Sequence, residues 1–204
     1  MKSMFKDTGI LFVITLIAGL LLGAVYQITK EPIAYQKELK KIKSYQAVFP
    51  EAVSFEALEL SQPEKIDDRK EEKEQAGDVT INLTSCALDE NQKKLGYVID
   101  ITSHEGYNGD IRFSMGIRMD GTINGISLLA ISETPGLGMK AEEVLQPQFS
   151  DKKVAAFVVT KTQAMTNEEI DAISGATITS QALVNGVNEG LNWFYSQLGG
   201  GNNE

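Results

Sequence analysis

The chain has one cysteine, one histidine and few basic side chains in 204 residues, and each shortage excludes a class of function. A single cysteine forms no internal disulfide, and one cysteine with one histidine does not complete a structural zinc site or an iron–sulfur cluster. The 19 Lys and Arg against 28 Asp and Glu give a net charge of −9. This charge argues against nucleic acid as a partner, because phosphates need clustered basic side chains. A redox role would therefore need an organic cofactor.

The first 30 residues are predicted to belong to a membrane. No charged side chain lies between Asp7 and Lys30, and about 20 apolar helical residues cross a bilayer core. The alternative is a cleaved signal peptide, but its apolar region is shorter, and Val25 to Gln27 is bulky where a cleavage site needs small residues. We favour a retained single span. The lysines that follow the span outnumber those before it, which favours a cytoplasmic location for the rest of the chain. Because long domains are translocated largely regardless of charge, this evidence is weak and the side of the membrane stays open.

Four segments follow from this pattern and from the composition of the remaining chain. They are an N-terminal tail and transmembrane helix (1-30), a helical connector (31-60), a charged solvated segment (61-78) and one compact domain (79-204). The connector is predicted to contain a helix from Ile33 to Phe49, which Pro32 opens and Pro50 stops.

The compact domain is predicted to be α+β, with meandering strands and few helices. Runs rich in Val, Ile, Thr and aromatic residues predict strands at Val79–Ser85, Lys94–Ser103, Ile111–Met119, Ile123–Ile131 and Lys153–Val159. Helices are predicted at Lys140–Leu145 and Ser180–Leu198, and the second carries an apolar stripe that would face the sheet.

Three motifs in this domain carry candidate chemistry. Asp171 to Ser180 reads DAISGATITS and precedes the last helix, whose first amides and dipole favour a phosphate, although an ordinary Ser/Thr helix cap explains the same letters. Glu133 to Lys140 reads ETPGLGMK; it matches a dinucleotide fingerprint only formally, because Pro135 separates the strand from the glycines, so a tight glycine loop remains. His104 to Ile111 reads HEGYNGDI, and a hairpin loop explains it as well as acid–base catalysis does.

In this order, the GYNG, ETPGLG and DAISGAT segments resemble the covalent FMN-binding domain family. That family occurs in the G subunit of the Rnf membrane-bound ferredoxin:NAD oxidoreductase and in the C subunit of the sodium-translocating NADH:quinone oxidoreductase. The similarity extends over nearly the whole chain, and the chain's length fits the Rnf protein better. The resemblance makes residues 79-204 the flavin domain.

The resemblance also assigns site residues. It implies that Thr177 carries FMN through a phosphoester that a flavin transferase makes from FAD. Asp171, Ser174, Gly175, Ala176 and Thr179 would complete the attachment segment. Residues near the flavin ring would be Glu133, Thr134, Gly136, Leu137, Gly138, Lys161, Tyr107 and His104. No catalytic residue and no metal ligand is predicted.

The function that the resemblance implies is that of an electron-transfer subunit, part of an enzyme that couples electron transfer to ion movement. Its partners would be other membrane and redox subunits, the flavin transferase and the lipid bilayer, and its flavin domain would lie on the extracytoplasmic side of the cell membrane. The alternatives are a free-standing, membrane-anchored flavoprotein reductase module, a subunit of the quinone-reducing complex, and a membrane-anchored scaffold in which the Thr177 segment only caps a helix.

Overall fold

A computed structural model describes residues 2–58 and 78–198, which divide into two units, Met1–Ile42 and Lys43–Glu204. The first unit is helical, and the second contains a sheet with the remaining helices. The predicted charged segment 61-78 lies outside the described residues except for Asp78.

The N-terminal helix α1 runs from Lys2 to Val48 without interruption at Pro32. The separate helix predicted to open at Pro32 is therefore the second half of a longer one. Proline removes one backbone donor and costs about 3 kcal/mol inside a helix, but extending a helix that already exists avoids a second nucleation. Among the described residues, α1 is the one helix long and apolar enough to cross a membrane, judged by length and composition.

The second unit contains a five-stranded antiparallel meander in the order β1-β2-β3-β4-β5. The predicted α+β class is confirmed, and β3 and β5 have the predicted bounds, whereas β2 continues to Leu88 and β4 ends at Arg118. The strands are β1 Ser54–Ala57, β2 Val79–Leu88, β3 Lys94–Ser103, β4 Ile111–Arg118 and β5 Ile123–Ile131.

Helix α3 (Thr177–Gln197) packs against one face of this sheet. Alternate apolar residues of β3 and β4, such as Ile101 and Met115, form the main core with the apolar stripe of the helix. A Cβ at Gly190 would lie 2.6 Å from the Cδ1 of Ile101, and one at Gly186 would lie 2.9 Å from the Phe113 ring. A larger residue at either position would force these side chains to shift, so the helix lies close to the sheet at the two glycines.

The opposite face of the sheet carries a second, smaller core. It contains the end of α1 and the residues after it, and its buried members are Tyr45, Val48, Phe49, Ala52, Ala87 and Val98. The carbonyl of Val48 accepts a hydrogen bond from the side-chain amide of Asn124. A Cβ at Gly96 would lie 2.7 Å from the Phe49 ring. The last turn of α1 is thus part of the folded domain.

The predicted strand Lys153–Val159 is wrong in most of its length. The structure has a short strand β6 (Val158–Thr160), which pairs in parallel with β7 (Glu169–Asp171), a strand that the sequence did not predict. The Asn188 side chain of α3 bonds both the N–H and the carbonyl of Phe157, at 2.7 and 2.9 Å. The Asn188 side chain thus satisfies the backbone groups of Phe157 that a neighbouring strand would have satisfied in the predicted strand.

The helices of the domain also begin at different residues from those predicted. Lys140–Leu145 is a 3-10 turn (Gly138–Lys140) followed by the short helix α2 (Ala141–Val144), and a second 3-10 turn follows at Gln146–Phe149. Helix α3 begins at Thr177 rather than at Ser180. Ser180 is buried inside the first turn, where its hydroxyl accepts from the N–H of Ile173 and donates to the carbonyl of Ala176.

We predict that Phe49→Ala destabilises the domain by about 3–5 kcal/mol, because it empties a buried site between α1 and two strands. Urea unfolding of the detergent-solubilised full chain, followed by the fluorescence of the single tryptophan, Trp193, measures the change. Met165→Ala is the control: its side chain is 90% exposed, and we expect a change within about 0.5 kcal/mol. Equal midpoints for both variants would show that the second core contributes nothing to stability.

Candidate functional site

A cavity of about 470 Å³ opens where the three predicted motifs meet. Its volume lies in the range of small-molecule and cofactor sites. The lining residues come from the GYNG loop, the loop after β5 and the start of α3: Tyr107, Glu133, Thr134, Leu137, Gly138, Gly175, Ala176, Thr177, Ile178 and Thr179. Topology therefore brings together segments up to about 70 residues apart in the chain.

The loop after β5 is folded by backbone bonds and by two glycines with different roles. The N–H groups of Leu137 and Met139 both donate to the carbonyl of Thr134, at 3.2 and 3.3 Å. Gly136 has φ +79°, a conformation that glycine adopts without the strain a side chain would bring. At Gly138, the lack of space decides: a Cβ there would lie 2.7 Å from the Cβ of Glu133 and 2.8 Å from the Oγ1 of Thr179.

The first turn of α3 presents unpaired backbone donors to the cavity. Ala176 precedes the helix without a side-chain cap, and no described residue accepts a hydrogen bond from the N–H of Thr177, Ile178 or Thr179. The Ser/Thr helix cap, the alternative interpretation of this segment, is therefore not present at the start of α3. Such a helix start is positively polarised and binds anions.

The two threonines of this turn differ in accessibility. The Thr177 side chain is exposed at the cavity, whereas Thr179 is 1% exposed and faces Gly138. Of the two threonines, Thr177 is therefore the one accessible to a reagent that enters from solvent. Gly175, with φ +79°, lies just before this turn, and a Cβ on it would contact Leu137 at 3.2 Å.

Glu133 is the one charged side chain among the ten lining residues. It is 5% exposed, and its Oε1 has no hydrogen-bond partner among the described residues. A Cβ on Gly106 would lie 2.8 Å from that oxygen. Glu133, in the loop after β5, thus packs against the GYNG loop, and its unpaired buried oxygen is a group that a donor on a bound molecule would satisfy.

Five of the predicted site residues do not line the cavity. Gly136 and Ser174 are next to lining residues, while Lys161 is exposed just after β6. The carboxylate of Asp171 accepts from the N–H of Ala164 at 2.6 Å and so shapes the loop between β6 and β7. His104 bonds to Asp110 and Thr80. Its expected place at the flavin rested on motif order alone.

Ile178 lines the cavity and was missed by the sequence analysis. Its side chain is 54% exposed at the start of an amphipathic helix. The signal that would have found it is its position: it lies directly after Thr177 and outside the apolar stripe that packs on the sheet. With Tyr107 and Leu137, which are 68% and 40% exposed, it gives the cavity an apolar rim.

Comparisons with known proteins match both ends of the chain. Residues 106–192 match the model of the FMN-binding domain, and residues 1–48 match that of the RnfG N-terminal region. The G subunit of the Na(+)-translocating ferredoxin:NAD(+) oxidoreductase complex of Acetobacterium woodii is 36% identical over 92% of this chain and 89% of its own length. The G subunit of the proton-translocating ferredoxin:NAD(+) oxidoreductase complex of Clostridium ljungdahlii is 30% identical over 98% and 96%. Shewanella oneidensis NqrC superposes with a TM-score of 0.48 at 22% identity, over 58% of this chain and 61% of that chain.

We predict that the two loop glycines respond differently to substitution. Gly138→Ala forces the loop away from Glu133 and Thr179, and overpacking of this kind costs about 1–3 kcal/mol, which lowers the thermal midpoint by roughly 5 °C. Gly136→Asn keeps the positive φ that asparagine tolerates, so we expect a drop below about 2 °C. Near-ultraviolet circular dichroism of the full chain in detergent measures both midpoints. Equal losses would show that conformation, and not space, governs both positions.

Proposed function

The chain belongs to the family of G subunits of ion-translocating ferredoxin:NAD(+) oxidoreductase complexes, and from this we infer that it is an electron-transfer subunit of such a complex. The same relatives imply further subunits as partners, association with a membrane and a share in the activity of an oxidoreductase. One relative is named for Na⁺ and the other for protons, so the proposed function is ion translocation without a named ion.

We further propose that the cavity holds FMN, and the residues present fit that group. FMN combines a phosphate with a broad apolar ring, and the cavity offers both unpaired amides at the start of α3 and an apolar rim. No cationic side chain is among the ten described lining residues, so backbone amides and the helix dipole would hold the phosphate. The buried Oε1 of Glu133 is available to a donor on the ring.

We propose Thr177 as the attachment residue, with a phosphoester to FMN. The observation that carries this assignment is that Thr177 is a solvent-exposed threonine at the uncapped start of α3, where it lines the cavity. In the proposed transfer, the Thr177 oxygen bonds to the FMN phosphorus of FAD, the pyrophosphate bond breaks, AMP leaves and the hydroxyl proton is released. A flavin transferase would supply the catalysis, since this chain presents only the acceptor.

In the loaded protein, FMN supplies the capacity to accept and donate electrons, and this chain supplies position and access. The α3 amides hold the phosphate end, and Gly138 brings the loop after β5 against the first turn of the helix. Leu137, Tyr107 and Ile178 would contact the apolar ring at the rim of the cavity. The free-standing reductase alternative predicts that the solubilised chain purifies without other membrane subunits.

We predict that Thr177→Ala abolishes covalent flavin without unfolding the domain, because the exposed side chain contributes little packing. In-gel flavin fluorescence after denaturation should vanish, and intact mass should equal that of the unmodified chain. Thr177→Ser keeps a hydroxyl and should restore part of the labelling.

Thr166→Ala, an exposed threonine outside the cavity, is the matched control and should keep full fluorescence. Fluorescence that persists in Thr177→Ala would overturn the assignment. Circular dichroism should be unchanged in all of these variants.

We propose that the flavin domain lies on the extracytoplasmic side of the membrane. The lysines after the span argue weakly against this placement, but a lone N-terminal span can act as an uncleaved signal anchor that carries a long domain across. The native thiol is a poor probe of the arrangement: Cys86 is 3% exposed, and burial raises its pKa, which reduces the reactive thiolate.

We predict that Met165→Cys, made in a Cys86→Ala background, reacts with a membrane-impermeant maleimide in intact cells. Met165 is 90% exposed, so the fold of this chain does not shield it from the reagent. Ser3→Cys in the same background is the control and should react only after cell lysis. The reverse pattern would put the domain in the cytoplasm.

A further inference from the structure

Tyr107 is carried by a loop with little backbone support. Residues 104–110 connect β3 to β4 without regular structure, and we call them the Tyr107 loop. In the described chain, its one backbone hydrogen bond outside the strands runs from the N–H of His104 to the carbonyl of Asp78. Yet its Tyr107 side chain lines the cavity while 68% exposed. Something other than a backbone ladder must therefore fix its position.

Side chains supply that support from three elements. His104 bridges the neck of the loop, with Nδ1 2.8 Å from Asp110 Oδ1 and Nε2 3.0 Å from the Thr80 hydroxyl on β2. Asn108 donates to the carbonyl of Ser132, just after β5, at 3.0 Å. Glu105 accepts from the Nδ2 of Asn185 on α3 at 2.7 Å.

Asn185 is the residue that links the Tyr107 loop to the helix of the proposed attachment site. Its carbonyl oxygen accepts from Gln181, one turn earlier, at 2.8 Å, and this bond leaves its amide N–H₂ turned to Glu105. The bond to Glu105 is partly buried and joins a donor to a carboxylate, the kind of hydrogen bond that contributes most. Thr177 and Asn185 lie on the same helix, two turns apart, so α3 holds both sides of the cavity mouth.

We propose that Asn185 is a positioning residue: through Glu105 it holds the Tyr107 loop over the cavity and so limits the access of solvent to the flavin. His104 and Asp110 act with it by closing the neck of the loop. The proposal rests on the proposed function, because it assigns the loop a role toward bound FMN. Of the residues named in the proposal, His104, Glu105, Asp110 and Asn185 do not line the cavity.

The decisive test reverses the hydrogen bond. Asn185→Asp sets two carboxylates against each other but keeps the acceptor for Gln181, so the helix is undisturbed. Glu105→Gln alone keeps an acceptor oxygen for Asn185 but loses the charge, so it should speed exchange less than Asn185→Asp does. In the double variant, the new amide donates to the new carboxylate, and the bond re-forms with its direction reversed.

The first readout is amide hydrogen exchange at His104, the residue of the Tyr107 loop whose N–H is hydrogen-bonded, in the full chain made flavin-free by Thr177→Ala. Loss of a bond to a charged group should speed exchange by about tenfold or more in Asn185→Asp, and the double variant should reverse this. Exchange in β3 should not change, because a merely structural defect would loosen the sheet as well. Unchanged loop exchange in Asn185→Asp, or no recovery in the double variant, overturns the proposal.

The second readout is quenching of flavin fluorescence by iodide in the flavin-loaded full chain. Quenching should increase in Asn185→Asp and return in the double variant. Faster loop exchange with unchanged quenching overturns the role toward flavin. A wild-type chain with no flavin would contradict the proposed function instead, and the exchange readout would still report on Asn185.

A second pair of variants guards against misfolding of Asn185→Asp. The side chain of Asp110 is 63% exposed, so its replacement does not threaten the core. Asp110→Ala removes the acceptor for His104 and should speed exchange of the loop, whereas Asp110→Asn keeps an acceptor oxygen and should not. Equal exchange in these two variants would overturn the part assigned to His104.

Discussion

The candidate site depends on one close contact, that of Gly138 with Glu133 and the first turn of α3. There is no room at residue 138 for a Cβ, so the loop after β5 lies directly on Thr179. The other side of this turn is fixed by Ser180, whose buried hydroxyl joins Ile173 to Ala176. With both flanks held, the turn needs no side-chain cap, and its amides stay open to the cavity. The unpaired amides at the cavity are thus a consequence of how this turn is packed.

The helix can serve as a fixed platform because it is held along its length. Gly186 and Gly190 let it lie close on β3 and β4, and Asn188 ties it to the backbone of Phe157. Asn185, directly before Gly186, reaches Glu105 in the Tyr107 loop. The helix α3 therefore contacts the sheet, the segment before β6, the loop after β5 and the Tyr107 loop. A shift of α3 would displace all of them together.

The sequence predicted best those elements whose pattern and packing agree. Strands β3 and β5 are runs rich in apolar and β-branched residues between turn signals, and their bounds were predicted to the residue. The segment before Val158 was also predicted as strand, but the backbone of Phe157 is bonded by the Asn188 side chain of a distant helix, which local pattern does not reveal. Likewise, Ser180 looked like a cap because it is a serine before an apolar stripe, yet tertiary contacts bury it inside the helix. Motif order identified most lining residues, whereas the side-chain bonds of His104 could be found only from the fold.

A covalent link would explain why the cavity has so few charged side chains that could bind an anionic ligand. Among its ten described lining residues there is one charged group, an acid, and the rim is exposed and apolar. A freely dissociating anionic ligand would have to offset its lost translational and rotational freedom with contacts in such a site, a cost of several kcal/mol. Attachment at Thr177 would make every later contact intramolecular, so that weak contacts with helix amides, Leu137 and Tyr107 suffice to orient the ring. The protein would then need to orient the flavin rather than to bind it tightly. The contacts of Gly138 and Asn185 fix the loops that would do so.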